Sequence, residues 1–243
     1  MNKIWANILS KKLQFCDNPF QTNNPDYVEE KVAKFMNKKL SFDCIVIGGG
    51  LSGLTATLAL SKIGLSMAII DKTSLKMVKK NEGDQRTTAV SASGKKIFEA
   101  LDVWDSLKED AEPILDIVVS EKGKRGHLNF DHQTVGTEPM GHILDNIQLK
   151  NSLISSIRSQ KNIQLFPFKS LNNFFPDTGA VTVDLNDGTS YEAALLVAAD
   201  GRNSAGRRIA KIKDTNINYN QSSIVFTVSH EKPHKGTAYE QFT

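Results

Sequence analysis

Gly48-x-Gly50-x-x-Gly53 stands between the apolar run Cys44-Ile45-Val46-Ile47 and a stretch of helical spacing from Ser52 to Ile63. Three glycines at this spacing, in this context, suit a phosphate-binding turn. Gly48 permits a tight turn, Gly50 lets the backbone approach a pyrophosphate, and Gly53 lets the helix sit against the strand. The phosphate charge would rest on the unsatisfied N–H groups around Ser52 and on the positive end of the helix dipole. Asp71 follows Gly53 by eighteen residues, at the end of the next apolar run. A carboxylate there can accept from the ribose hydroxyls of an adenosine. The chemistry indicated is dinucleotide binding. FAD and NAD share the adenosine diphosphate half, so the loop alone does not separate them. Asp71 disfavours NADP at this position, because it would repel a 2′-phosphate. As a carboxylate at a strand end, Asp71 is expected to be dispensable for the fold.

These residues need a strand, a helix and a second strand to hold them. Leu54, Leu58 and Ile63, with small Ala56 and Ala59 between, make a helix that packs closely on a sheet. Gly64 ends it, and Leu65 to Ile70 forms the second strand. Together they give a βαβ unit of about thirty residues. Further on, Ala92 to Leu101 reads as a helix and Ile114 to Ser120 as a strand. Ile147, Leu149, Leu153, Ile154 and Ile157 share a helix face. Val181, Val183 and Leu185 alternate with polar residues before Asn186-Asp187-Gly188-Thr189, a hairpin signal. Leu195 to Ala199 reads as a buried strand running into Asp200-Gly201, and Ile224 to Val228 as a last strand.

Composition bounds the class. Of 243 residues, 40% are hydrophobic and 23% charged, near the globular norm, which excludes disorder and fibre. A net charge of +3, with no basic stripe, gives no reason to expect nucleic acid. Cys16 and Cys44 are too few for a disulfide framework or a multi-cysteine metal site, and Cys44 reads as a reduced buried thiol. No metal is expected. His127, His132, His142, His230 and His234 lack ligand spacing and read as surface or loop residues. No apolar run is long enough for a transmembrane helix, and the first forty residues lack the layout of a signal peptide. Residues 1–40 therefore read as an extension or linker, and the expected location is cytoplasmic.

A second motif follows the Leu195–Ala199 run: Asp200-Gly201-Arg202-Asn203-Ser204-Ala205-Gly206-Arg207, of the form Asp-Gly-x-x-Ser-x-x-Arg. It resembles the second fingerprint of the flavoprotein aromatic hydroxylases, the para-hydroxybenzoate hydroxylase superfamily. Asp84-Gln85-Arg86-Thr87-Thr88-Ala89-Val90 resembles the Asp-x-Arg-x-x-Ala-Leu segment of the ubiquinone-biosynthesis hydroxylases within it. Gly141-His142-Ile143-Leu144-Asp145-Asn146 is similar to their Gly-Tyr-Val-Val-Glu-Asn segment. The run from Pro233 to Phe242 is similar to their entry into the substrate domain.

The resemblance implies an α/β fold: a Rossmann-like FAD-binding domain of the GR2 type over 41–215, with inserted β segments. Residues 216–243 would begin an incomplete mixed β-sheet substrate domain. It implies FAD as cofactor and NAD(P)H as electron donor. The reaction would be hydroxylation of a polyprenylated phenol by a flavin hydroperoxide. Cofactor contacts would come from Arg86, Asn146, Asp200, Gly201, Arg202, Ser204 and Arg207, beside Gly48, Gly50, Ser52, Gly53 and Asp71. No catalytic side chain is assigned. The family's Gly-Asp-Ala-Ala-His-type motif does not occur before Thr243, so the chain reads as truncated relative to its family. A polyprenylated substrate would bring it to the inner face of a membrane, or to other proteins of the ubiquinone pathway. Two alternatives stand beside this reading: an NAD-dependent Rossmann oxidoreductase, supported by the glycine loop alone, and a non-catalytic nucleotide-binding remnant.

Overall fold

The computed structural model describes residues 40–79, 82 and 84–243. Residues 1–39 of the segment read as an extension or linker, Cys16 among them, lie outside the described residues. In chain order the elements are β1 (Ser41–Ile47), α1 (Leu51–Lys62), β2 (Met67–Asp71), β3 (Thr87–Ser91), α2 (Ala92–Ala100) and β4 (Glu112–Ile114). There follow β5 (Asp116–Glu121), β6 (His127–Asp131), β7 (Gly141–Asp145), α3 (Asn146–Arg158) and β8 (Ile163–Pro167). The last are β9 (Leu171–Asp177), β10 (Ala180–Leu185), β11 (Ser190–Ala198), α4 (Ala205–Ile209) and β12 (Thr237–Phe242).

Six strands form the main sheet, in the order β8-β2-β1-β11-β10-β9. The first four run parallel, and β10 and β9 turn back antiparallel. The fold is the α/β class expected. β1 and β2 are apolar on both faces because both faces are covered. Cys44, Val46, Met67 and Ile69 join Leu54 and Leu58 of α1 and the apolar stripe of α3 in one core. Ile45, Ile47, Ala68 and Ile70 meet Val181, Val183 and Tyr191 in another, on the opposite face. Each such side chain removed from water contributes roughly 1.5–3 kcal/mol. The α3 stripe consists of the five residues its spacing names: Ile147, Leu149, Leu153, Ile154 and Ile157 are all buried. Cys44 is a free buried thiol, and burial pushes its pKa up to about 11.

Polar side chains tie the helical layer to the sheet. The Asn162 amide donates to the carbonyls of Ser61 at 2.9 Å and Leu65 at 2.8 Å, where α1 turns into β2. Asn151 of α3 accepts from the Val78 N–H at 2.9 Å and donates to the Val78 carbonyl at 2.7 Å. Two small sheets complete the fold: β3-β7-β4, and β12-β5-β6, in which β12 runs parallel to β5.

Four expectations are corrected. The run from Ile114 to Ser120 is two strands in two different sheets, broken at Leu115. Leu195–Ala198 is a strand but not a buried one: Leu195 is 49% exposed. β10 pairs with β11 only as far as Ala193; beyond it Leu196 and Val197 pack against the two cores, while Leu195 lines an open groove. Ile224 to Val228 forms no strand, because no described strand pairs with it, and Ile224 is 85% exposed. His142 is neither surface nor loop. It lies within β7 with Nδ1 buried, edge-on to Trp104 at 5.0 Å. Burial, with Lys95 nearby, pushes its pKa down.

Candidate functional site

The glycine loop sits where the sheet's connections diverge. From β1 the chain crosses through α1 to β2 on one side, while β11 pairs with β1 on the other. The Gly48 N–H donates to the Ile70 carbonyl at 2.8 Å, and the Ala199 N–H to the Ile47 carbonyl at 2.8 Å. The loop is thus held between the carboxyl ends of β2 and β11. In open α/β sheets this switch point is where ligands bind.

The three glycines differ in what surrounds them. Gly48 has φ +109°, and a Cβ there would lie 2.3 Å from the Ala199 carbonyl oxygen. At Gly53 a Cβ would lie 1.9 Å from the Gly48 carbonyl oxygen, so the close approach of helix to loop requires glycine. At Gly50 a Cβ would meet nothing within 4 Å. Gly50 fronts a cavity of about 430 Å³, also lined by Gly48, Asp71, Lys72, Lys169 and Arg208. It is the N-cap of α1 at φ −77°, and no side chain caps the helix. The exposed Ser52 follows at the second helical position. The N–H groups of this first turn are therefore available to an anion.

Asp71 Oδ2 accepts the Gly49 N–H at 2.5 Å, and Oδ1 accepts the Thr73 N–H at 2.6 Å and its hydroxyl at 2.5 Å. A carboxylate offers about four lone-pair sites, so it retains capacity for a ligand hydroxyl. Asp200 is turned onto its own helix. It accepts from the Ser204 hydroxyl at 2.5 Å, the Ala205 N–H at 2.6 Å and the Gly206 N–H at 3.2 Å. Burial pushes this carboxyl up, but those donors outweigh it and hold it below its ordinary value. Ser204 is buried and also accepts the Arg207 N–H at 2.9 Å. Gly201 has φ +82° and lines the cavity.

The other expected residues lie elsewhere. Arg207 donates to the Arg202 carbonyl at 2.8 Å and pairs with Asp214 at 3.1 Å. It lines a separate groove of about 720 Å³ with Phe174, Leu195, Ala198 and Ile212. Arg202 is exposed. Arg86 and Asn146 come together in a group of their own at the start of β3, joined through Asp84. Arg86 Nε and Nη2 donate to the two Asp84 oxygens at 2.7 and 2.8 Å, and Asn146 Nδ2 donates to Oδ2 at 2.9 Å. The Asn146 Oδ1 accepts the Thr88 hydroxyl. The Arg86 guanidinium holds the Asp84 carboxyl well below the usual carboxylate range, with help from the Asn146 amide.

Lys72, Lys169 and Arg208 are the cavity residues that pattern reading missed. Lys169 is paired with Asp187 at 2.8 Å, whereas no described carboxylate pairs with Lys72 or Arg208. The available signal was adjacency: Lys72 directly follows the acid, and Arg208 directly follows the motif arginine. The cavity thus offers an uncapped helix start and two cations without a carboxylate partner among the described residues, while both of its acids are engaged by nearby backbone N–H groups. Such a set suits the charge of a diphosphate.

Ubiquinone hydroxylase UbiL of Rhodospirillum rubrum is 32% identical over 200 residues, covering 82% of this chain and 46% of the relative. The 3-demethoxyubiquinol 3-hydroxylase of Escherichia coli is 24% identical, covering 82% of this chain and 51% of the relative. The chain spans about half the length of these curated relatives. Among solved structures, p-nitrophenol 4-monooxygenase PnpA from Pseudomonas putida superposes with a TM-score of 0.62 at 19% identity. That match covers 73% of this chain and 46% of PnpA, and it shows the shared fold. A protein-family match described as an FAD binding domain runs over residues 41–241, and the chain belongs to that family.

Proposed function

We propose that this chain is the adenosine-diphosphate-holding part of an FAD-dependent aromatic-ring hydroxylase of the ubiquinone-biosynthesis type. The observation that carries this is Gly50: an open backbone position over an uncapped helix start, at the switch point, with Asp71 alongside. The diphosphate would lie on the N–H groups after Gly50, with Lys72 and Arg208 offsetting its charge. Asp71 would take the ribose hydroxyls, while Gly48 and Gly53 keep loop and helix close. Asp200 and Gly201 would shape the far wall, with Ser204 holding Asp200 in place, and Arg86 and Asn146 would form a second contact through the Asp84 group. Arg202 and Arg207 support the loop by their own contact.

Bound FAD supplies the redox and oxygen chemistry of the reaction, with NAD(P)H as electron donor. The protein's task is to bind, orient and exclude water. The substrate inferred from the named relatives is a polyprenylated phenol. Such a substrate would bring the protein to the cytoplasmic face of a membrane and to other ubiquinone-pathway proteins. Among the described residues no helix is long and apolar enough to cross a membrane. Residues 41–215 would hold the nucleotide, residues 216–243 would open the substrate-facing part, and residues 1–40 would be an extension. β12 pairs with β5, so the substrate-facing part draws on β5 and β6 as well.

The test is titration of the chain with FAD and with NADH, followed by flavin fluorescence and calorimetry. FAD binding that competes with ADP supports the reading, and a preference for NADH overturns it.

A further inference from the structure

We infer that Asp84 is a positioning residue that holds Arg86 and Asn146 ready for the cofactor; this rests on the FAD reading above. The Arg86 side chain is 67% exposed. A free arginine at such a site loses rotamer freedom when a ligand orders it. Here the ordering is already made within the chain. Both Asp84 oxygens are spanned by the guanidinium fork, and Oδ1 also accepts the Arg86 backbone N–H at 3.1 Å. A guanidinium carries five N–H donors, and this pair uses two of them.

The same carboxylate fixes the asparagine. Its Oδ2 takes Asn146 Nδ2, which turns the amide oxygen onto Thr88, and the Asn146 N–H donates to the Arg86 carbonyl at 3.0 Å. One carboxylate therefore sets the direction of two side chains, one just before β3 and one at the start of α3. Asp84→Asn replaces one acceptor oxygen by a donor, and in either amide orientation that donor faces an Arg86 donor. With the amide oxygen at the Oδ2 position Asn146 keeps its acceptor, so the loss falls on Arg86.

The experiment uses the 243-residue chain as wild type, Asp84→Asn, Arg86→Ala and the double variant. FAD affinity is measured for each, along with the Arg86 Nε–H resonance in 15N-labelled protein. Asp84→Asn is expected to weaken FAD binding about tenfold and to have no further effect in the Arg86→Ala background. A residue that only supported the fold would weaken binding in both backgrounds. In wild type the Arg86 Nε–H signal should be distinct and slow to exchange, and in Asp84→Asn it should collapse to the free-arginine position. An unchanged Nε–H signal in the variant, unchanged or tighter FAD binding, or an equal loss in both backgrounds overturns the inference. Should wild type bind no FAD, the functional reading falls, and the Nε–H comparison still decides for or against Asp84.

Discussion

Asp71 at the end of β2 accepts the Gly49 N–H at 2.5 Å. The acid that faces the cavity therefore also fastens the glycine loop to its neighbouring strand. The expectation that Asp71 is dispensable for the fold changes accordingly. Asp71→Ala should lower stability by roughly 1–3 kcal/mol, the cost of leaving loop donors unpaired, and weaken FAD as well. Urea unfolding and FAD titration of the same variant check both. An unchanged unfolding midpoint would show that the loop holds itself.

The glycines should separate binding from folding. Gly50→Val places its side chain in open space at an ordinary φ, so the variant should fold and lose FAD affinity at least tenfold by blocking the approach to the helix start (about 1.4 kcal/mol). Gly53→Ala meets the Gly48 carbonyl oxygen at 1.9 Å and should reduce folded protein itself. Circular dichroism melts beside FAD titrations distinguish the two. Equal melting losses in both variants would contradict this division.

Cys44 should stay silent toward thiol reagents while the protein is folded. Its pKa stands raised to about 11 by burial, with the Asp43 charge adding to it. Because the folded value lies above the unfolded one, the stability tied to the neutral thiol is fully present below about pH 8.5. It is lost as pH rises toward 11. In a Cys16→Ser background, reaction with an aromatic disulfide reagent at pH 8 should track unfolding. Fast reaction of the native protein would contradict a buried Cys44.

Acid should weaken the fold through Asp200. Its folded pKa is depressed, so its contribution is present above the ordinary carboxylate value of about 3.9 and disappears as pH falls through the lower folded one. Asp200→Asn should be less stable than wild type at pH 7 and lose less on going to pH 3. Parallel urea midpoints at the two pH values would refute this.

The segment from Ile212 to Val228 should promote self-association. Ile217, Ile224 and Val228 are exposed, and Phe226 is 74% exposed. Phe226→Lys should lower light scattering at high concentration and leave the melting temperature within about 2 °C, since a surface change away from packing stays near ±0.5 kcal/mol. Unchanged scattering would locate the association elsewhere.

What the sequence made legible was local. The glycine spacing, the α3 stripe and the β10–β11 hairpin each follow from periodicity or turn chemistry within about twenty residues, and each is present. Asp84 is different: its importance lies in reaching Asn146, sixty-two residues away, which no spacing rule encodes. The expected burial fails at Leu195 because its run is as apolar as a buried strand, whereas burial depends on what covers the sheet. Arg208 was passed over for Arg207 because a motif marks one arginine, while the turn of a short helix decides which one meets the cavity. The strand expected at Ile224 has the right residues and lacks a neighbour.

The pairing of β1 with β11 sets a clock on synthesis. Ser41 lies opposite Glu192, and Ile47 opposite Ala198, so this central strand of the sheet must wait about 150 residues for its second neighbour, roughly 8–30 s at about 5–20 residues per second. Through that interval Ile45 and Ile47 have only part of their eventual cover, since Val181 and Val183 of their core emerge with β10 and Tyr191 with β11. The nascent chain therefore carries an apolar, half-paired strand on the ribosome until β11 is made, and slower translation would lengthen its exposure to chaperones and to other chains.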